Sequence, residues 1–192
     1  MDAIINAAAG LMYESGVRGT AVEDVLVASG CGKGQFYHYF ADKDDLAAAV
    51  LERQLRVVLG ELEQFRLDTW TGIRAWFDVL LSGQEQRGFR GCPVGSLAIE
   101  LSAAGPDMQR RVADALSRWE SVLASGLESM KANRGLDLNA RPALLAEATL
   151  ATIQGGYLLS TAHQDIRPMR TALNAAYARL RASRPSRRAR VE

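Results

Sequence analysis

The chain has 192 residues and a formal net charge of +1; 48% of its residues are hydrophobic and 23% are charged. These proportions are typical of a globular protein and exclude a disordered chain. No uncharged apolar run is long enough to span a bilayer, and no basic stretch followed by an apolar one begins the chain, so we expect a cytoplasmic protein without a membrane partner. Two cysteines and two histidines are too few for a disulfide framework or a zinc site. We therefore expect no metal and no cofactor.

Two short helices are predicted at the N-terminus. Apolar residues recur at helical spacing over residues 2–15, and Gly16 ends that pattern. Thr20 and Glu23 have the spacing of a capping box, in which a hydroxyl and a carboxylate satisfy free amides at a helix start. This pair predicts a second helix over residues 21–29.

A third, shorter helix follows a predicted sharp turn. Gly30 can supply the left-handed conformation that such a turn needs. Phe36 and Phe40 lie one helical turn apart and can anchor the helix inward. The outward face then carries polar and aromatic side chains, namely Lys33, Gln35, Tyr37 and Tyr39. Lys and Gln can hydrogen-bond to base edges and Tyr hydroxyls to phosphate oxygens, so this face suits the major groove of DNA.

Residues 4–51 resemble the DNA-binding domain of the TetR family of transcriptional repressors. The resemblance is carried by Ile5, Ala8, Met12, Gly16, Thr20, Val25, Ala28, Gly30, the run 33–40, Lys43 and Leu46. It implies an all-α fold in which a three-helix helix-turn-helix domain, residues 1–46, precedes a larger helical ligand-binding and dimerisation domain, residues 47–183. One departure is Gly32, because the family commonly has Ser or Thr at this position. Gly offers no hydroxyl for a phosphate contact there.

The resemblance and the side-chain chemistry together suggest two kinds of DNA contact. Lys33 and Gln35 are the predicted base readers, because Lys suits guanine and Gln suits adenine. Gly34 is predicted to let the backbone approach the DNA closely. The predicted phosphate contacts are Thr20, Tyr37, Tyr39 and Lys43. His38 is as compatible with packing beside the core as with touching phosphate.

The charge of the N-terminal domain argues partly against DNA binding. Residues 1–46 contain three basic and seven acidic residues, which gives −4, whereas a DNA-binding domain is expected to be basic. The interpretation requires the acidic residues to face away from DNA while the cations line the groove. The basic C-terminal segment, residues 184–192, is expected to be a disordered, solubilising tail.

Every segment beyond the third helix shows helical rather than alternating periodicity, so we expect no sheet. The fourth helix, capped by Asp42, is predicted to link the two domains. Pro106 and Pro142 stand where a first helical turn accepts proline. The predicted helices cover residues 43–67, 70–84, 94–104, 106–133, 142–163 and 167–182.

The segment 142–163 is apolar nearly all round. Glu147 is its only charged residue between positions 143 and 162, so we expect one face in the core and the other against a partner chain. With the last helix it is predicted to form a four-helix homodimer interface, which the resemblance also implies. The predicted interface residues are Leu150, Gly155, Leu158, Met169, Leu173 and Tyr177.

Aromatic and polar residues of the second domain are predicted to line a small-molecule site, as the resemblance implies. For each residue taken singly, plain core packing is the alternative; as a set they mix apolar walls with a few polar groups, as ligand pockets do. The predicted ligand-binding residues are Trp76, Leu80, Cys92, Glu100, Met108, Trp119, Gln154 and Tyr157. A redox-sensing role for Cys92 stands against that of a buried, inert thiol.

The sequence contains no motif that indicates enzymatic chemistry. The glycines at positions 30, 32 and 34 follow a helix and not a strand, so they are not a dinucleotide-binding fingerprint. We therefore predict a ligand-responsive repressor, not an enzyme, that binds a palindromic operator in double-stranded DNA as a homodimer and is released by a small-molecule inducer. The alternative is a helical small-molecule-binding or scaffold protein whose N-terminal domain has lost DNA binding. An activator role also stays open, and no motif specifies the inducer, the operator or the regulated genes.

Overall fold

A computed structural model describes residues 1–185, and over that range the chain forms nine α-helices and no strand. The all-helical fold predicted from the sequence is confirmed. The helices are α1 (Asp2–Gly19), α2 (Val22–Ser29), α3 (Lys33–Tyr39), α4 (Lys43–Leu62), α5 (Trp70–Gln86), α6 (Pro93–Ser102), α7 (Pro106–Ala132), α8 (Pro142–His163) and α9 (Arg167–Ala182). Most of the predicted basic tail, residues 186–192, lies outside the described residues. No helix in the described range is both long enough and apolar enough to cross a membrane.

The chain divides into two compact units. Unit 1 comprises residues 1–58 and 92–117, and unit 2 comprises residues 59–91 and the chain from 118 onward. Unit 1 therefore contains α1 to α3, most of α4, α6 and the first part of α7. Residues 92–117 thus group with the N-terminal helices, whereas the predicted ligand-binding domain, residues 47–183, includes them.

The first helix of unit 1 is kinked rather than ended by its glycine. Gly16 adopts φ 76°, a left-handed conformation that costs Gly little, and the chain then makes one further helical turn as far as Gly19. Before the kink, α1 buries one apolar face, which includes Ile4, Ala8 and Met12.

The predicted capping box at the start of α2 is wrong. The Ala21 backbone N–H donates to Asp24 Oδ2 at 3.2 Å, so the carboxylate that reaches back belongs to Asp24 and not to Glu23. The Thr20 hydroxyl instead donates to the Gly16 carbonyl at 2.8 Å. The helix begins one residue later than the Thr-x-x-Glu spacing implies, and this moves Asp24 into the third helical position.

The turn between α2 and α3 has the predicted geometry. Gly30 has φ 67°, and the backbone N–H of Cys31 donates to the Leu26 carbonyl at 3.2 Å, which closes the end of α2. Phe36 and Phe40 are then 0% and 4% exposed. Their burial holds α3 with its opposite face outward.

The fourth helix starts as predicted and ends earlier. Asp42 Oδ1 accepts from the Asp45 backbone N–H at 2.9 Å, as expected of a cap. The helix ends at Leu62 rather than near 67, because residues 63–69 form short-range turns that lead into α5. Thr69 caps α5 by accepting from the Gly72 N–H at 3.1 Å.

In unit 2 the helices α8 and α9 pack closely against each other. A Cβ atom on Gly156 would lie 2.8 Å from Ala172 Cβ and 2.9 Å from Met169 Sδ, so the absence of a side chain permits this approach. The core around it includes Ile153 and Leu173, which are 0% and 3% exposed.

Candidate nucleic-acid interface and ligand site

The outward face of α3 presents the predicted base readers to solvent. Lys33, Gly34 and Gln35 are exposed in its first turn. Tyr37 and Tyr39 follow with 60% and 41% of their surface exposed. All five predicted residues of α3 therefore lie on the surface that surrounds its buried phenylalanines.

Lys33 forms an ion pair with Glu23 on α2. The two charged groups are 3.5 Å apart, and both side chains are about two-thirds exposed, at 69% and 67%. An ion pair this exposed is worth about 0–1 kcal/mol, so a guanine or a phosphate can replace the glutamate at small cost. The pair keeps the lysine beside the surface where a base reader is required.

The other two predicted phosphate-contacting residues, Thr20 and Lys43, have side chains that bond to the end of α1 and do not lie on the outward face of α3. The Thr20 side chain is 2% exposed and is occupied by its hydrogen bond to Gly16, which argues against a phosphate contact through its hydroxyl. Lys43 Nζ donates to the Val17 and Thr20 carbonyls at 3.1 and 3.3 Å. A cation suits the negative end of a helix, and an ammonium group has one further N–H that can reach a phosphate.

Several acidic residues of this unit have structural roles. Asp24 and Asp42 accept backbone N–H groups at the starts of α2 and α4, and Asp45 Oδ2 accepts from the Ala41 N–H at 3.3 Å. Part of the negative net charge of residues 1–46 therefore comes from carboxylates that accept backbone N–H groups at or just before helix starts. His38 is exposed, with its ring 4.8 Å from that of Tyr39, so it does not pack into the core.

Glu100 was predicted to line the ligand site, but the structure places it against α1. Its Oε1 and Oε2 atoms accept the backbone N–H groups of Val17 and Arg18, each at 3.2 Å. The kink at Gly16 makes these two amides the start of a new helical turn, and a carboxylate is favoured there. Glu100 thus joins α6 to the end of α1 within unit 1.

Two other predicted ligand residues also belong to unit 1. Cys92 is 4% exposed, and its Sγ accepts from the Gly95 N–H at 3.3 Å, so the thiol caps α6. This burial favours the inert role over redox sensing, because oxidation needs an accessible thiolate. Met108 is 9% exposed and packs in the same unit.

The remaining predicted ligand residues lie in unit 2. Trp76, Trp119 and Tyr157 are buried, whereas Leu80 and Gln154 are half-buried. Trp76 lines a cavity of about 10 Å³, which is room for a single water molecule. The other lining residues are Leu67, Ile73, Leu123, Leu127, Thr149 and Leu180, none of which the sequence analysis had selected.

Sequence reasoning also missed two polar residues at the end of α5. Gln84 is fully buried, and its side-chain oxygen has no hydrogen-bond partner in the described part of the chain. Arg87 follows one turn later, and the same range offers no acceptor to its buried Nε. The available signal was periodicity, because Trp76, Leu80, Gln84 and Arg87 recur at helical spacing on one face.

Half of the predicted dimer residues are already used inside the protomer. Leu150, Met169 and Leu173 are 3%, 0% and 3% exposed, because they form the core between α8 and α9 and leave almost no side-chain surface for a partner chain. Leu158 is 63% exposed, and nothing lies within 4 Å of a Cβ built on Gly155.

Tyr177, another predicted interface residue, packs within unit 2. Its ring meets those of Trp70 and Phe77 edge-on, with centroids 6.1 and 6.4 Å away. The guanidinium of Arg74 lies 5.4 Å from its ring centroid. These contacts assign Tyr177 to the packing of α9 against α5.

Two family profiles match the chain. Residues 4–50 match the N-terminal domain of bacterial regulatory proteins of the tetR family. Residues 70–175, more than half of the chain, match the C-terminal domain of LmrA/YxaF-like transcriptional regulators. The chain belongs to the TetR family.

Individual relatives of this TetR-family chain agree with that assignment. An uncharacterised HTH-type transcriptional regulator in the lacX 3′ region of Lactococcus lactis is 32% identical over 171 residues, which cover 86% of this chain and 85% of that protein. The transcriptional regulator AcuR of Cereibacter sphaeroides is 29% identical over 172 residues, which cover 87% and 78%. The crystal structure of a regulatory protein TetR from Rhodobacter sphaeroides superposes with a TM-score of 0.81 at 26% identity, covering 92% of this chain and 96% of that one.

These matches confirm the predicted family and its class of function. The TetR-family chain is a DNA-binding transcriptional regulator with an N-terminal helix-turn-helix domain. Its relatives are transcriptional regulators and not enzymes.

Proposed function

We propose that this TetR-family regulator is a cytoplasmic repressor that binds a palindromic operator as a homodimer and is released by a small-molecule inducer. The observation that carries the proposal is the outward face of α3. Lys33, Gln35 and Tyr37 are exposed there, while Phe36 beneath them is fully buried. A short, rigidly anchored helix with such a face is suited to the major groove.

Base recognition is assigned to the first turn of α3. Lys33 and Gln35 stand two residues apart and are both exposed, so their side chains can reach base edges. Tyr37 and Tyr39 continue the face with hydroxyl groups that can donate to phosphate oxygens. The third ammonium N–H of Lys43 supplies a further phosphate donor at the start of α4.

Homodimerisation is supported by an exposed apolar stripe on α8. Leu144, Leu158 and Leu159 have 43%, 63% and 50% of their surface exposed. Gly155 lies between them and would let a partner helix approach. We therefore replace the buried residues of the sequence-based prediction with this stripe, and a second copy of the same face covers it.

Two protomers related by a two-fold axis read a palindrome when their α3 helices lie about 34–36 Å apart, one helical turn of DNA. An inducer that binds better to a form with another separation shifts the population toward that form. A coupling free energy of about 1–3 kcal/mol lowers operator affinity by about 5- to 150-fold.

The test is a double substitution, Lys33→Ala with Tyr37→Phe, assayed on duplex DNA selected from a random library by the wild-type protein. We expect it to lower affinity by at least about tenfold, because it removes one base contact and one phosphate contact. Arg141→Ala, an exposed cation in unit 2, is the control and should bind as wild type.

A second candidate is a small-molecule-binding protein without DNA affinity, which the acidic balance and Gly32 favour. Wild-type protein that enriches no palindrome from the library would support it. An unchanged affinity in the double variant would remove α3 from the proposed reading surface.

A further inference from the structure

A group of polar side chains joins the end of α5 to the end of α8 inside unit 2. Gln84 Nε2 lies 3.5 Å from Thr161 Oγ1, and Arg87 Nη2 lies 3.5 Å from the Tyr157 hydroxyl. Both distances are at the limit of a hydrogen bond, so these contacts hold the side chains only weakly. Gln84 is 0% exposed and Tyr157 is 4% exposed, whereas Arg87 and Thr161 are half-buried, so the group extends from the interior of the unit toward its surface.

Two hydrogen-bonding atoms of this group have no partner among residues 1–185. They are the Gln84 side-chain oxygen and Arg87 Nε, and both are buried. A polar atom buried without a partner destabilises the protein, and it does so more strongly when the group is charged. Such atoms are rare in folded proteins, and a bound molecule or ion is one way in which they gain a partner.

The charge of Arg87 is also uncompensated. Within residues 1–185 no carboxylate forms an ion pair with its guanidinium, which contacts the neutral hydroxyl of Tyr157. Gly83 makes room for the guanidinium, because a Cβ there would lie 2.9 Å from Arg87 Nη1. A half-buried arginine without an anion is costly unless a negatively charged group binds to it.

Apolar side chains flank this polar group. Trp76 and Leu80 precede Gln84 on the same face of α5, and the cavity beside Trp76 reaches Thr149 of α8. A molecule lying between α5 and α8 would meet an apolar wall at one end and the guanidinium at the other. This division is typical of ligand sites, in which few polar groups orient an apolar body.

We propose that the inducer of this regulator is a small organic carboxylate whose anionic end binds Arg87. Arg87 Nε and the Tyr157 hydroxyl donate to its oxygens, and its apolar part lies against Trp76 and Leu80. The Thr161 hydroxyl can donate as well as accept, so the Gln84 amide can turn and offer its NH2 group to the same carboxylate. The proposal rests on the proposed function, because it names the ligand class of that regulator.

The size of the cavity adds a consequence for regulation. About 10 Å³ beside Trp76 cannot hold even the smallest carboxylate. The carboxylate therefore binds a form of unit 2 in which α5 and α8 stand further apart. A ligand that selects such a form shifts the conformational population, as an inducer must.

The experiment compares acids with their uncharged amides. Full-length protein is titrated calorimetrically with propionate, hexanoate, benzoate and cinnamate, and with the four corresponding primary amides. We expect at least one acid to bind about tenfold or more tightly than its amide, since charge-assisted bonds to arginine are the stronger ones. If no acid is preferred over its amide, the proposal is wrong.

Substitutions test whether Arg87 is the residue responsible for the preference for an acid over its amide. Arg87→Gln should abolish the preference for the acid, and Arg87→Lys should retain part of it. Arg141→Gln removes an exposed arginine of the same unit and should change nothing. An unchanged preference in Arg87→Gln would overturn the proposal. If Arg87→Gln does not fold, Tyr157→Phe removes a single hydroxyl and should weaken the preferred acid by at least about threefold; undiminished binding would overturn it equally.

Operator binding is measured on the same preparations. Wild-type protein that binds its selected DNA but shows no acid preference refutes the carboxylate site alone. Protein that prefers an acid but binds no DNA refutes the repressor and leaves a carboxylate-binding protein. The two failures are therefore distinguishable.

Discussion

Single residues fix the end of α1, and they come from three parts of the chain. Gly16 bends the helix, and Glu100 accepts the two amides that the bend releases. Lys43 donates to the carbonyls of Val17 and Thr20 in the same turn. One carboxylate and one ammonium group thus satisfy both ends of a single helical turn at the end of α1.

Substitution of Gly16 tests this arrangement. Gly16→Ala should lower the free energy of unfolding by about 1–3 kcal/mol, because φ 76° disfavours a side chain and the new Cβ would lie 2.9 Å from Glu100 Oε1. Urea denaturation of the full chain measures the change. The control is Gly10→Ala on the same helix, where a Cβ meets nothing within 4 Å, and it should stabilise by about 0.5–1 kcal/mol.

If Gly16→Ala proves as harmless as the control, the left-handed conformation is not required in solution. Glu100→Ala is an independent test of the same arrangement, again by urea denaturation. It should cost about 1–3 kcal/mol by leaving two amides without their acceptor. The two substitutions share one contact, so their effects should not add.

At the scale of elements, α8 has two glycines with different surroundings. Gly156 faces α9, where a Cβ would be 2.8 Å from Ala172 Cβ, and Gly155 faces open space. The predicted interface includes Gly155, and the apolar pattern of α8 does not distinguish it from Gly156. The two glycines can be told apart only by their neighbours in the folded chain, which put Gly156 in a contact within the protomer and leave Gly155 exposed.

Gly156→Ala should lower the free energy of unfolding by about 1–3 kcal/mol, because the added methyl group forces α8 away from α9. Thermal or urea unfolding of the full chain is the measurement. Gly60→Ala, on the exposed side of α4 with nothing within 4 Å, is the matched control and should be neutral or stabilising. A stable Gly156→Ala variant would contradict the packing of α8 and α9 described above.

Much of the element order could be predicted from local patterns. The phenylalanines at 36 and 40 and the glycine at 30 specify α3 and its turn, because these signals depend on neighbours in sequence. The cap of α2 could not be resolved, since Thr20 with Glu23 and Ala21 with Asp24 have the same spacing. Glu100 was misplaced because its partners lie 82 and 83 residues away, and no periodicity reports such a contact.

At the scale of the whole molecule, the proposed recognition of a palindromic operator depends on the proposed homodimer. In that dimer each protomer would contact one half-site, so a monomer would reach only half of the operator. The exposed leucines of α8 are the proposed contact. The buried core residues of α8 and α9 hold each protomer together beneath them.

Leu158→Glu should convert the dimer to monomers, since a buried carboxylate on a two-fold interface faces its own copy. Sedimentation velocity measures the state, and operator affinity should fall by at least about tenfold with the lost half-site. Leu138→Glu changes a leucine that is 77% exposed between α7 and α8, and should leave the dimer intact. A dimeric Leu158→Glu protein would move the interface to another face.

Because residues 92–117 group with the N-terminal helices, they limit how far a DNA-binding fragment of this chain can be shortened. A fragment truncated after α4 would leave the amides of Val17 and Arg18 bare, because the carboxylate of Glu100 is supplied from a distant stretch of chain. The smallest DNA-binding fragment therefore combines two separate stretches of the sequence, because it needs α6 beside α1. A linker would replace residues 59–91 between them.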